Sequence, residues 1–136
     1  MTEQGNIDLV NRYIEEVWHG GDVRLLDELF APDYKRHLSP ADEPLDKEGQ
    51  RTRIVAFRAA FPDIHFRVED IVASGERVVF RAVLSGTHEV DFMGIPATGK
   101  RISVALMDMV RFDDSGRFAE QWGGPDLWDI LRQVNG

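Results

Sequence analysis

Cysteine is absent from the 136 residues, so the chain has no disulfide framework, no thiolate nucleophile and no zinc site built on sulfur. Long apolar runs are missing too. No stretch approaches the 18 residues of a membrane helix, and Met1 to Ile7 lacks the basic start and apolar middle of a secretory signal, so a cytoplasmic location is expected. Basic residues are outnumbered, 16 Lys and Arg against 24 Asp and Glu. The resulting net charge of −8 would repel a nucleic-acid backbone or an anionic membrane, and neither is expected as a partner. There is no internal repeat. Gly94, Gly99 and Lys100 lack the spacing and the following Ser or Thr of a phosphate-cradling loop. What is present, 43% hydrophobic residues, suits one domain over residues 1–136. A chain of this size buries roughly two-thirds of its unfolded surface, enough for a core and one internal cavity.

Ile7, Val10, Ile14, Val17 and Trp18 fall at spacings of three and four, predicting a helix that His19-Gly20-Gly21 stops. Asp22 stands at an N-cap position, and Leu25, Leu26, Leu29 and Phe30 form the stripe of a short second helix ending before Pro32. Ser39 to Gly49, dense in proline and charge, reads as an internal loop. Ile54, Phe57 and Phe61 mark a third helix, broken at Pro62. Beyond it the apolar period becomes two. Strands are expected around Ile64–Glu69, Arg77–His88, Ile102–Phe112 and Phe118–Trp122, separated by turns at Ser74-Gly75-Glu76, Phe92–Lys100 and Asp113–Gly116. Leu127 to Val134 predicts a closing helix. Helices followed by strands make an α+β domain with helices on one face of a mostly antiparallel sheet.

Several segments, taken in order, resemble one family. They are Leu29-Phe30-Ala31-Pro32-Asp33-Tyr34 with His37, Ala60-Phe61-Pro62-Asp63, Gly86-Thr87-His88, Gly94 to Lys100, and Asp126 with Leu131-Arg132-Gln133. Together they resemble the SnoaL-like polyketide cyclases and ester cyclases, within the superfamily of nuclear transport factor and ketosteroid isomerase. The resemblance spans the first helix to Val134. It implies a cone-shaped α+β barrel with three N-terminal helices on a strongly curved sheet, a largely apolar pocket between them, and a homodimer formed through the outer sheet face. It also implies cofactor-independent aldol ring closure by an acidic side chain. The family's acid/base aspartate aligns with Gly123 here, and the histidine and glutamine that support it align with Asp108 and Leu106.

Asp108 shares its phase with Ile102, Val104, Leu106, Val110 and Phe112, which places a carboxylate on a face that should be buried. Such a group is a desolvated general base, or the partner of Arg81 or Arg111, or is turned outward by a bulge that reverses the phase. His88 is in phase with Val78, Phe80, Ala82 and Leu84 and would carry an imidazole to the same face near the mouth. Asp126 precedes an apolar helix as a cap or an acid. His37, Tyr34, Trp122 and Trp18 are candidate substrate contacts, although His37 reads more readily as a surface-loop residue, and Trp122, in phase with Phe118 and Glu120, is either an aromatic wall of the pocket or a core residue. His19 and His65 read as solvent-facing. His37, His88 and Asp108 are suitable metal-ligand types, but no short ligand spacing joins them, so neither metal nor cofactor is expected.

These residues point to a cofactor-independent enzyme of lyase or isomerase type, moving a proton beside the carbonyl of a small apolar compound. The alternative is a non-catalytic domain that binds a small hydrophobic ligand. A dimerising scaffold presenting Val79, Val83, Met107 and Met109 is compatible with either. Asp108→Asn is expected to remove turnover and leave stability intact.

Overall fold

The computed structural model describes residues 2–136. Helix α1 covers Glu3–Arg12 and is capped by Thr2, whose hydroxyl accepts from the Gly5 amide at 2.8 Å. The helix widens into a π-helical segment, Tyr13–His19, before Gly20 ends it by donating to the Glu15 carbonyl. Val10, Tyr13, Ile14, Val17 and Trp18 all lie buried on the predicted face. A 3-10 turn, Val23–Leu25, leads into the short α2, Leu26–Leu29. Asp22 occupies the expected cap position, but its side chain makes no capping hydrogen bond. Helix α3, Lys47–Ala60, starts at Asp46, which accepts from the Gly49 amide, and ends at Phe61-Pro62 as expected.

The sheet has five strands rather than four: β1 Phe30–His37, β2 His65–Ser74, β3 Arg77–Thr87, β4 Arg101–Phe112 and β5 Phe118–Pro125, in the order β1-β5-β4-β3-β2. Strand β1 begins at Phe30, expected as the last residue of the second helix, and takes up the stretch to His37 for which the sequence suggests no regular element. It is a short edge strand pairing parallel to β5, and only Tyr34 to His37 alternate between faces, because Pro32 and a register shift break the pattern before them. The other pairs are antiparallel. Helix α4, Leu127–Asn135, closes the chain.

The sheet does not close on itself. Helix α1, its π-helical extension and α3 lie over the inner face, as in the cone-shaped α+β folds. Val78, Phe80, Ala82 and Leu84 of β3 and the even-numbered residues Ile102 to Phe112 of β4 point into this core. The expected phase of β5 is reversed. Phe118 pairs with Phe112 and Glu120 with Arg111, so Ala119 is an extra residue that bulges the strand and flips the residues after it. Gln121 therefore faces inward, while Glu120 and Trp122 face outward. No described helix is long and apolar enough to cross a membrane.

Candidate active site

Asp108 is 6% exposed and points from the middle of β4 into the core. Its partner is neither Arg81 nor Arg111. Those lie on the outer face, where Arg81 pairs with Asp70 and Arg111 with Glu120. The partner is Arg36, which β1 brings inward two residues after Tyr34 and which is itself 2% exposed. Arg36 Nη1 donates to Asp108 Oδ2 at 3.1 Å, and Nη2 donates to the Gly123 carbonyl at 2.9 Å. On the other side of the carboxylate, Tyr34 donates its hydroxyl to Gln121 Oε1, and Gln121 Nε2 lies 3.5 Å from Asp108 Oδ2. Both contacts to the carboxylate fall on Oδ2. Oδ1 is buried with no hydrogen-bond partner.

Burial raises the Asp108 pKa above the ordinary carboxylate value, and the Arg36 charge works against that rise. For Arg36, burial alone would lower the pKa, but Asp108 reverses it and keeps the guanidinium charged. The Tyr34 hydroxyl is pushed well above its usual range by burial, so it is a proton donor in hydrogen bonds and stays neutral.

The free Oδ1 belongs to a residue lining a narrow cavity of about 10 Å³, room for one water molecule. Ile14 and Trp18 from the first helix, Phe57 from α3 and Phe66, Phe80 and Leu106 from the sheet make its walls apolar. Gly124, Pro125 and Arg53 lie between this cavity and an open groove of about 590 Å³, which Leu38, Leu127 and Trp128 rim. Arg53 comes from α3 on the same face as Gln50 and Phe57. Its guanidinium lies 5.2 Å from the centre of the Phe57 ring and makes one long contact, 3.4 Å, to Gln50 Oε1.

Gly123 and Gly124 shape the floor. Both have positive φ, 99° and 118°. A β-carbon at Gly123 would stand 2.2 Å from the Met107 carbonyl oxygen, so this backbone excludes any side chain there. At Gly124 it would meet Arg36 Nη2 at 3.0 Å and Arg53 Nη2 at 3.2 Å. The missing β-carbon is what lets the two guanidinium groups approach one another.

The other sequence candidates are spread apart. Trp18 lines the cavity. Tyr34 does not reach it: the ring is 1% exposed, stacked on Phe30, and acts through Gln121. His37 and Trp122 are paired across β1 and β5, ring on ring at 5.3 Å, so Trp122 is not a wall of the Asp108 cavity; with His37 it lines a separate open groove of about 520 Å³ beside Leu38 and Gly123. His37 ends β1 rather than sitting in a loop, and its Nε2 lies 2.8 Å from Glu120 Oε2. His88 is wholly buried just past the end of β3, with Nδ1 3.0 Å from Thr98 Oγ1 and its ring against Phe61. Asp108 pairs with Phe80, eight residues earlier on that strand. About 26 Å of extended chain therefore separates the two groups, too far to exchange a proton directly. Asp126 caps α4, accepting from the Trp128 amide at 2.9 Å, while also lining the groove. His19 is not solvent-facing; its Nε2 accepts from the Phe66 amide and its ring stacks on His65. Among the described residues no three His, Asp or Glu side chains converge as a metal-ligand set.

Arg36, Arg53 and Gln121 are functional candidates that the sequence alone does not single out. Arg36 is concealed by the irregular pattern of β1, and Gln121 by the bulge in β5. For Arg53 a signal exists: Gln50, Arg53 and Phe57 share one side of α3 at spacings of three and four.

Known proteins of similar structure point the same way. IdmH of Streptomyces antibioticus, described as a candidate polyketide cyclase, is 34% identical, with 96% of this chain and 99% of IdmH covered at a TM-score of 0.81. TsrD of Streptomyces laurentii is 31% identical over 98% of this chain and 97% of its own, with a TM-score of 0.84. AclR of Streptomyces galilaeus, described as a candidate hydroxylase, is 25% identical over 98% of both chains, with a TM-score of 0.86. No curated protein matches the chain. The profile of the SnoaL-like polyketide cyclases matches residues 8–134, and it is to this family that the chain belongs.

Proposed function

We propose that the protein is a cofactor-independent enzyme of the polyketide-cyclase type that moves a proton beside the carbonyl of a small apolar compound, with Asp108 as the base. The observation that carries this reading is the buried, unpartnered Oδ1 of Asp108, a residue that lines a cavity with largely apolar walls, while Arg36 and Gln121 both approach Oδ2. The body of the substrate lies in the outer groove, and its carbonyl end reaches Asp108 by parting the cavity walls, which here leave room for one water molecule. Asp108 Oδ1 takes a proton from the carbon next to the carbonyl, and the C–H electron pair becomes that of an enolate. In a ring closure the enolate carbon then bonds to a second carbonyl carbon of the same molecule, whose oxygen takes the proton back from Asp108. In an isomerisation the proton returns to a different carbon. Either route leaves Asp108 as it began. The apolar walls exclude water and keep the carboxylate a stronger base than it is in solvent.

A panel of aromatic polyketides, steroids, terpenoid ketones and lactones, screened by thermal shift with mass spectrometry of each hit, tests the reading. Conversion by the wild type with a loss of roughly 10²- to 10⁴-fold in Asp108→Asn is the expected result. Stability is not expected to stay intact, because Arg36 loses its counter-charge in the core. The double variant R36Q/D108N removes both charges, and a folded, inactive double variant keeps the test clear of misfolding. Turnover retained in a folded Asp108→Asn protein would withdraw the role.

A second reading, a binding domain that captures a small hydrophobic molecule unchanged, draws support from Gly123. The backbone at the position aligned with the family's acid excludes any side chain. Hits recovered unaltered after long incubation would favour it.

A further inference from the structure

The cavity residues carry two guanidinium groups and one carboxylate, an excess of one positive charge in a protein whose net charge is −8. Arg36 binds Asp108 and the Gly123 carbonyl through its two Nη atoms, its Nε being buried without a partner. Arg53 is not. Among the described residues no carboxylate lies within ion-pair distance of it, although Asp42 and Asp126 line the same groove. Its Nη2 instead points at the gap over Gly124, sharing that space with Arg36 Nη2 at the junction between groove and cavity. A half-buried cation beside a second cation is electrostatically costly, and burial together with the Arg36 charge pushes the Arg53 pKa down to about 10. Such a group gains most from an anion supplied by a ligand, and a guanidinium fork matches a carboxylate in shape.

We infer that Arg53 is a binding residue for a carboxylate, so the compound taken by this site is an apolar keto acid rather than a neutral ketone or ester. The carboxylate rests on Arg53 above Gly124. The apolar body lies along Leu38, Leu127 and Trp128, and the carbonyl end reaches past Arg53 toward Asp108. The inference rests on the proposed function for the placement of the carbonyl, but the recognition of the carboxylate stands apart from catalysis.

The test is calorimetric binding of a series of aryl keto acids of increasing chain length, 3-benzoylpropionate first, each beside its methyl ester. Proteins are the wild type, Arg53→Met, Arg53→Lys and Asp108→Asn. At least one acid is expected to bind the wild type about 10- to 100-fold more tightly than its ester, with the advantage falling as salt is raised. Arg53→Met should erase that preference while keeping the fold through its similar stem, and Arg53→Lys should restore part of it. Asp108→Asn should keep the preference. If no acid outbinds its ester in the wild type, or if Arg53→Met keeps the preference, the inference is overturned. Acid preference without conversion of any compound would leave this inference standing and remove the proposed catalysis. Asp108-dependent conversion of esters as readily as acids would do the reverse.

Discussion

At Asp108 the chemistry and the energetics pull in opposite directions. A base must be ionised, yet burial favours its protonated form, so the acid limb of kcat/KM is expected above the ordinary aspartate value of about 4. Rate should rise with pH through that limb. Stability has the opposite sign. A group whose pKa is raised in the folded state binds its proton more tightly there, so its contribution is fully present below the unfolded pKa and is lost as pH rises through the folded one. Urea titrations from about pH 4 upward should record this decline, and R36Q/D108N should lack it. Gly123 gives a purely steric prediction. Gly123→Ala forces a β-carbon against the Met107 carbonyl at a φ of 99°, and a loss of roughly 3 kcal/mol in urea unfolding is expected. An unchanged midpoint would mean that β5 can re-route. Asp108 can be singled out in the sequence because a carboxylate in an unbroken apolar alternation is conspicuous. Arg36 cannot, since what makes it a partner is a contact 72 residues away in the chain.

The elements divide along the same line between local and distant causes. Helix α3 and strands β3 and β4 are legible from spacing, because each buries one regular face against the core, whereas β2 alternates only through Phe66 and Val68 before a register shift at Glu69 reverses its phase. Strand β1 has no such signature: Pro32, Asp33 and Lys35 interrupt it, and its pairing with β5 supplies the hydrogen bonds that its own residues do not announce. One extra residue, Ala119, is enough to turn the expected wall formed by Trp122 into an outer-face aromatic beside His37. Capping is the opposite case, since Asp126 before an apolar run is a short-range signal and its carboxylate does hold the Trp128 amide. Asp126→Ala is expected to cost about 1 kcal/mol, seen as a Tm lower by roughly 3 to 5 °C, with kcat unchanged. A fall in kcat of more than about tenfold would restore Asp126 as a candidate acid.

Across the whole molecule the two faces of the sheet serve different ends. The inner face holds the cavity; the outer face carries a row formed by Val72, Val79, Met109, Trp122 and His37, one residue from each strand. Beside this row Met107 is 59% exposed, and such apolar area on an open sheet fits association of two copies. Sedimentation velocity should find a dimer that Met107→Glu weakens, and a wild type that stays monomeric at every concentration would end that expectation. The strand order also sets a timetable. Residues 30–37 find their only sheet neighbour in residues 118–125, and Arg36 waits for Asp108. During synthesis the growing chain can assemble β2, β3 and β4 as a local meander before β1 can join the sheet, its local backbone pairing being the bridge between Arg36 and Leu45. The charged centre of the cavity is then among the last parts to form, and until most of the chain has been made Arg36 remains an ordinary solvated cation.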